Sequence, residues 1–326
     1  MRRRNVTWIA CVAVFVSCPA WATVPQHNRR SGSHVLDFKK PQAGHDDVAR
    51  LRKKAEAGQP KAEYRLGLAY YFGRGVPRNY VKAVGWFRKA AAQGYAAAEY
   101  CLGVAEFRGQ GVSRNVAKAI SWTRKAARQG FAEAEYSLGA TYYYGNGIPR
   151  DYAKAVGWFR KATAKGNVDA EYYMSLVYFM GQGVPRNPVK VVEWSRKAAR
   201  QGYAPAETNL GAAYYHGQGV PKNDAKAVLW TRKAVQQGYP VAEYNLAQDY
   251  EFGRGVTKNY VKAVRWYRKA AAQGYTEAEN NLGFDYYFGK GVPRDTKIAL
   301  YWLKKARAQG SPSAERFIRY IEEHKK

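Results

Sequence analysis

The sequence predicts an all-α fold, an α/α superhelix of seven 36-residue helix-turn-helix repeats closed by capping helices at both ends. Three observations predict it. The stretch AEYRLGLAYYFGRGVPRNYVKAVGWFRKAAAQGYAA, residues 62–97, restarts without insertion or deletion at Ala98, Ala134, Ala170, Ala206, Ala242 and Ala278. Its two halves have helical spacing and are separated by turn chemistry. The punctuation recurs in register: Asn79, Asn115, Asp151, Asn187, Asn223, Asn259 and Asp295 at one position, Trp86, Trp122, Trp158, Trp194, Trp230, Trp266 and Trp302 at another.

Within the first copy, Ala62, Leu66 and Tyr70 put an apolar stripe on a short helix, helix A. In GRGVPRN, Gly73 and Gly75 supply positive φ where that helix ends, and Pro77 blocks its continuation. Asn79 stands at an N-cap, ready to accept from the first free amides of helix B. On helix B, Ala83, Val84, Phe87, Ala90 and Ala91 fall on one face, with Lys82, Arg88, Lys89 and Ala92 opposite, and Gly94 ends the unit. A pair this small cannot bury its apolar face alone, so the core is completed by stacking on the next pair. The recurring tryptophan reads as a packing residue between repeats, with Lys82 and Lys89 spaced for cation–π contact to Trp86.

Toward the N-terminus, residues 1–22 read as an export signal. Arg2, Arg3 and Arg4 form its charged start, Val6 to Val16 a short apolar core, and Ala20-Trp21-Ala22 a small-residue cleavage site. An uncleaved anchor, or a lipoprotein signal ending at Cys18, are the alternatives; after cleavage no transmembrane span is expected. Residues 23–46 have the composition of a flexible linker, and its histidines, His27, His34 and His45, are too widely spaced to argue for a metal site. Residues 47–61 align with helix B as an N-terminal capping half-repeat, Gly58 standing 36 residues before Gly94. The repeats occupy residues 62–313. Residues 314–326 form a C-terminal capping helix with Ala314, Phe317, Ile318 and Ile321 inward and Glu322, Glu323, Lys325 and Lys326 toward water. The array from about Asp47 to Lys326 is expected to form one domain.

The pattern AEYxLGxxYxxGxGVPxN(Y)xKAxxWxRKAAxQG, nearly intact in residues 62–94 and 134–166, resembles the Sel1-like repeats, relatives of the tetratricopeptide repeat. The resemblance covers residues 62–310 and implies a right-handed superhelix whose A helices line the concave surface. Departures are local: Met174 and Ser175 replace the Leu-Gly pair, Ala247 replaces its glycine, and Ile298 replaces a helix B lysine. Some Sel1-like proteins carry a disulfide in each repeat and have been linked to penicillin binding and β-lactam hydrolysis. After cleavage only Cys101 remains here, so that association does not carry over and stability must come from stacking.

The chain carries 54 Lys plus Arg against 25 Asp plus Glu, a net charge of +29, or +26 once Arg2, Arg3 and Arg4 leave with the signal. The charge is a lattice: a basic residue marks every A-to-B turn (Arg78 in the first copy) and a basic pair marks every helix B (Arg88-Lys89). One reading is a solvated outer face that keeps an aromatic-rich protein soluble. The other is a cationic surface that docks on anionic envelope polymer or lipid headgroups. Nucleic acid fits the electrostatics, but export argues against it. The carboxylates Glu63, Glu99, Glu135, Glu171, Glu207, Glu243, Glu279 and Glu315 fall in the first turn of helix A, where they meet the positive end of the helix dipole.

Comparison among copies separates helix A into constant and variable positions. Positions 62, 66, 67 and 70 barely change, as a stacking surface requires. Positions 65, 69 and 72, one face by helical spacing, do change: Arg65, Ala69, Phe72; Cys101, Ala105, Arg108; Ser137, Thr141, Tyr144; Tyr173, Val177, Met180; Asn209, Ala213, His216; Asn245, Asp249, Phe252; Asn281, Asp285, Phe288. This row is the expected groove for a protein or peptide, with aromatics as anchors and the Asn and Asp residues of the last three copies as polar contacts. No catalytic, cofactor or metal site is expected. His216 is the only histidine within the repeats, no Ser-x-x-Lys or His-Glu-x-x-His occurs, and the Gly-x-Gly of each turn lacks the strand a phosphate loop follows. The function expected is an exported scaffold, periplasmic or secreted, acting as adaptor or regulator and not as an enzyme.

Overall fold

The computed structural model describes residues 45–324. The predicted export signal and the linker up to residue 44 lie outside them. Among the described residues the chain forms sixteen helices and no strand, an all-α solenoid. These are α1 (His45–Glu56), α2 (Pro60–Phe72), α3 (Tyr80–Ala92), α4 (Ala96–Arg108), α5 (Val116–Arg128), α6 (Ala132–Tyr144), α7 (Tyr152–Thr163), α8 (Val168–Met180), α9 (Pro188–Arg200), α10 (Ala204–His216), α11 (Asp224–Gln236), α12 (Pro240–Phe252), α13 (Tyr260–Ala272), α14 (Thr276–Phe288), α15 (Thr296–Ala308) and α16 (Pro312–Glu323). The even-numbered helices α2 to α14 are the A helices. The described residues divide into two compact units, which meet between Arg186 and Asn187 in the sequence. Within each, a helix packs chiefly on the helix before it and the helix after it, the one-dimensional connectivity of a repeat array.

Each A helix begins two residues before the conserved alanine of the repeat, because the residue after the helix B glycine is already extended and the next helix starts directly behind it. Pro60 and Pro240 occupy the first turn of α2 and α12, where their missing N–H costs nothing. At the other end of α2 the chain turns left-handed at Gly73, φ 71°, and its N–H closes on the Ala69 carbonyl. Asn79 then serves twice. Its Oδ1 accepts from the Lys82 amide at 2.9 Å and its own N–H donates to the Tyr70 carbonyl at 2.8 Å, so one residue caps helix B and ties the turn back onto helix A. The side-chain bond recurs at all seven cap positions, at 2.8 to 3.0 Å.

The second glycine of the turn has a different task. A Cβ on Gly111 would lie 2.3 Å from the Tyr80 carbonyl oxygen, because the turn of one copy rests on the start of helix B in the copy before. Gly219, Gly255 and Gly291 rest in the same way on Pro188, Asp224 and Tyr260. The glycine of each Leu-Gly pair lets the two helices of one copy approach closely: at Gly67 an added Cβ would meet the Phe87 ring at 2.5 Å. Met174, Ser175 and Ala247, the departures from that pair, are all fully buried, so the stacking surface persists where the residue type changes.

The constant glutamates are held by side chains. Gln93 donates to Glu63 at 2.8 Å, Gln129 to Glu99 at 2.7 Å, Gln237 to Glu207 at 2.8 Å, Gln273 to Glu243 at 2.8 Å and Gln309 to Glu279 at 2.7 Å. In the third copy Lys165 takes the glutamine's place and pairs with Glu135. Each bond joins the start of helix A to the end of helix B thirty residues later, clamping the open end of the pair opposite its glycine turn. These glutamates are buried, so the hydrogen bonds offset a real desolvation cost. The helix-dipole account of them is correct in place but incomplete.

The seven tryptophans of the repeats are half-buried, and Trp86 and Trp158 pack against core clusters. Over each ring sits the lysine three residues on, with Lys197 Nζ 4.0 Å from the Trp194 centroid and Lys125 Nζ 5.4 Å from that of Trp122. Lys82 goes elsewhere, 5.6 Å above Tyr70. At the ends, Val48 and Ala55 of α1 join the first core, and Arg52 donates to the Tyr70 hydroxyl at 3.1 Å. On α16, Ala314, Ile318 and Ile321 are buried. Phe317, expected inward, is half-buried, its ring 4.2 Å from that of Phe284.

Candidate functional site

The three variable positions of helix A separate in the structure. Position 72 reaches solvent: Phe72 is 39% exposed, Met180 42%, Phe252 52% and Phe288 56%, with Arg108 and His216 also exposed. Position 69 does not. Ala69, Ala105, Thr141, Val177, Ala213, Asp249 and Asp285 are all buried. Position 65 is mixed, with Arg65 exposed, Cys101, Asn209, Asn245 and Asn281 half-buried, and Ser137 and Tyr173 inside.

Two expected anchors therefore change role. Tyr173 packs among Tyr143, Phe159 and Tyr136 at centroid distances of 5.7, 5.2 and 5.5 Å, with its hydroxyl 2.8 Å from that of Tyr144. Burial and the neighbouring Tyr144 hydroxyl push the Tyr173 phenol well up. Tyr144, half-buried, leans on the same cluster. These two rings hold copies three and four together instead of facing a partner. Asp249 and Asp285 likewise lie in the interior, not on an open surface.

In the first unit the exposed edge runs through Phe72, Arg108 and Met180. Arg74 lies 5.0 Å over the Phe72 ring, and Arg108 donates to the Tyr71 hydroxyl at 3.4 Å. In the second unit it runs through His216, Phe252 and Phe288. Arg254 lies 4.5 Å over Phe252 and 4.7 Å over Tyr215, whose ring meets that of His216 at 4.7 Å. Burial and the cations Arg254 and Lys222 hold the His216 imidazole below its usual range. Phe288 forms one wall of a shallow apolar cavity of about 360 Å³, completed by Phe284, Ser313, Arg316, Phe317 and Tyr320. Its rings and single guanidinium suit an apolar or aromatic group.

Beneath the edge of the second unit lies a set of polar groups. Tyr267, fully buried, donates to Glu251 Oε2 at 2.6 Å, and Lys290 Nζ lies 3.8 Å from Glu251 Oε1. Burial raises Asp249 to about 7, with Arg254 opposing, and raises Asp285 to about 7, with Glu251 adding and Lys290 opposing. Tyr267 and Glu251 were not legible as partners, because they sit sixteen residues apart on different helices and neither position is polar in every copy. Cys101 is half-buried and unpaired, and burial pushes its thiol up to about 12, away from the reactive thiolate.

Short helix pairs stacked neighbour on neighbour, with a changing exposed edge, define an α-solenoid of the interaction-scaffold class. The chain belongs to the Sel1 repeat family, whose repeat matches it seven times in succession, at residues 60–95, 96–131, 132–167, 168–203, 204–239, 240–275 and 276–311. Proteins of this family are generally protein–protein interaction scaffolds, and the fold is typical of non-catalytic ones. The chain is similar to c5321, a protective antigen of uropathogenic Escherichia coli displaying an SLR fold, at 36% identity and a TM-score of 0.75, over 86% of this chain and 60% of that one. It is also similar to a Sel1 repeat protein from Oxalobacter formigenes, at 33% identity and a TM-score of 0.69, over 85% of this chain and 80% of that one. It thus spans 60% of the length of the E. coli protein. No match is found among curated proteins. Among the described residues no helix is long and apolar enough to cross a membrane.

Proposed function

We propose that this chain is an exported scaffold that grips a protein or peptide along the exposed edge of its A helices and acts as an adaptor or regulator in the cell envelope, periplasmic or secreted. One observation carries the reading: Phe72, Met180, Phe252 and Phe288 leave 39 to 56% of large apolar side chains in water at a repeat position that the fold fills equally with Arg108 or His216 in sister copies. The basic start, apolar stretch and small-residue cleavage site of residues 1–22 support export. So does the similar E. coli protein, because a protective antigen must be reachable by antibodies.

The test is capture from an envelope fraction with the wild-type chain and with a variant carrying Phe72→Ala, Met180→Ala, Phe252→Ala and Phe288→Ala. The variant keeps its helical circular dichroism, because all four side chains stand outside the core, and it loses the captured protein. Retention of that protein by a folded variant refutes the edge as the binding surface. A second reading rests on the outer face, where half-buried tryptophans lie under lysines beside exposed basic residues such as Arg88 and Arg160. There the ligand is an anionic polymer or lipid headgroup. The same capture repeated at two salt concentrations separates the two, since a charged outer face loses its ligand steeply with salt and an aromatic edge does not.

A further inference from the structure

Repeat position 69 holds Ala69, Ala105 and Ala213 in three copies, Thr141 and Val177 in two, and aspartate in the last two, Asp249 and Asp285. Every one of these side chains is buried, so the fold is satisfied there by a methyl group and has no need of a carboxylate. A buried carboxylate is costly unless it is paired. The two aspartates are compensated differently. Asp249 lies in the field of Arg254 and Arg232, with Asp224 opposing. Asp285, 5% exposed, faces Glu251, which repels it, and Lys290, which attracts it. Its Oδ2 is buried and accepts no hydrogen bond.

The groups around Asp285 are already committed. Glu251 is held by the Tyr267 hydroxyl at 2.6 Å, and Lys290 Nζ pairs with Glu251 at 3.8 Å. Asn281, one helical turn before Asp285 on α14, is half-buried and lies close enough to the Tyr267 hydroxyl to stabilise its charged form. Two carboxyl groups thus face one ammonium, and burial leaves Asp285 holding its proton up to about pH 7. Three residues beyond Asp285 on the same helix stands Phe288, 56% exposed, beside the apolar cavity. An acceptor without a donor and an exposed aromatic anchor therefore share one turn of α14.

We propose that Asp285, backed by Glu251 and Asn281, is the subsite that receives a basic side chain of the partner, an arginine guanidinium or a lysine ammonium, next to the aromatic anchor Phe288. This rests on the reading of the A-helix edge as the partner surface and adds to it the charge of one partner residue. The incoming cation supplies the donor that Oδ2 lacks and offsets the charge that Asp285 takes on as it gives up its proton. Burial, which holds the Asp285 carboxyl at about 7, makes the gain on ionic pairing larger than at an exposed carboxylate.

The test uses the full chain, carbon-13 labelled at aspartate carboxyls, with N-acetylarginine amide as the probe and N-acetylcitrulline amide as its neutral isostere. The arginine amide shifts the Asp285 signal saturably and lowers its titration midpoint, the citrulline amide does neither, and Asp285→Asn removes the response. An absent response, or an equal one with citrulline, overturns the proposal. A second arm is thermal: Asp285→Ala leaves the melting temperature unchanged or raises it, as alanine in three sister copies implies. A fall would assign the carboxylate to the fold and also overturn the proposal. The two readings fail separately. Partner capture that survives loss of the exposed aromatics, with the arginine response intact, sinks the edge and leaves the subsite. Capture that depends on them, with Asp285 silent, sinks the subsite alone.

Discussion

Replacing Asp249 and Asp285 by alanine together should flatten the pH dependence of the second unit's stability. In the folded chain each carboxyl titrates near 7 instead of 3.8, chiefly because burial penalises the charged form. Since both values are raised, the folded state holds protons that the unfolded state has released between about pH 4 and pH 7. The stabilisation is fully present below the unfolded value and is lost as pH rises through the folded one. Between pH 5 and pH 8 linkage gives about 2.5 kcal/mol for each group. Both groups are almost wholly enclosed, so solvent screening takes little from this. One effect opposes it: at lower pH a chain of +29 gains further positive charge and repels itself more strongly. The double variant keeps that repulsion and loses the two protons, so the difference in slope between wild type and variant isolates the carboxyls. Urea melts followed by tryptophan fluorescence at pH 5, 6, 7 and 8 measure it. Equal slopes in the two proteins would refute the reasoning, and so would a wild type whose second unit grows more stable from pH 5 to pH 8 while the variant does not.

Two further predictions concern the scaffold. Glu99→Ala removes the fully enclosed carboxylate that Gln129 and Lys125 approach at 2.7 and 2.9 Å and, because both donors can turn to water, should cost about 1 to 2 kcal/mol. Hydrogen exchange should show the loss concentrated at the start of α4 and the end of α5, and a uniform loss would contradict the clamp. Trp158→Ala removes a ring packed against Ala126, Leu138 and their neighbours and should cost about 3 kcal/mol in a urea melt. A cost below about 1 kcal/mol, the size of an exposed cation–π contact, would mean that the ring serves Lys161 and not the core.

The fold was legible because every element carries its own punctuation. Asn79 at the cap, Gly73 at the left-handed turn and Gly67 under Phe87 each admit few residue types for a local steric reason; the cap recurs as Asn or Asp and the turn glycine as Gly every 36 residues, and the third glycine in five of the seven copies. The clamp was less legible. Glu63 and Gln93 each have an adequate local explanation, a helix dipole for one and a solvated helix end for the other, and only their constant separation of thirty residues hints that they meet. The division into two compact units at Arg186 had no signal at all, since the repeat runs through residues 168–203 with the spacing of every other copy. An array whose helices touch chiefly their neighbours repeats the same contacts in every copy, so no residue type marks where it divides.

Why the variable face of helix A split into an exposed row and a buried one follows from the same geometry. Periodicity reports the angle of a side chain around the helix and says nothing of its depth along the axis. On a thirteen-residue helix wedged between helix B of its own copy and that of the copy before, the middle turn is covered at almost every angle, and position 69 lies there. Position 72 is the last residue before the glycine turn, where cover is thinnest, and is exposed as Phe, Arg, Met or His, while Tyr144 alone is half-buried, against Tyr173. Variation therefore means different things at the two depths. At position 72 it reflects freedom from packing, and only the choice of large apolar residues there argues for a partner. At position 69 packing admits Ala, Thr and Val without effort, so Asp249 and Asp285 are changes that work against the core that holds them. A residue retained at a cost in stability is the stronger sign of a ligand than one retained at none, and that ranks Asp285 above the exposed aromatics as the place to look for what this scaffold binds.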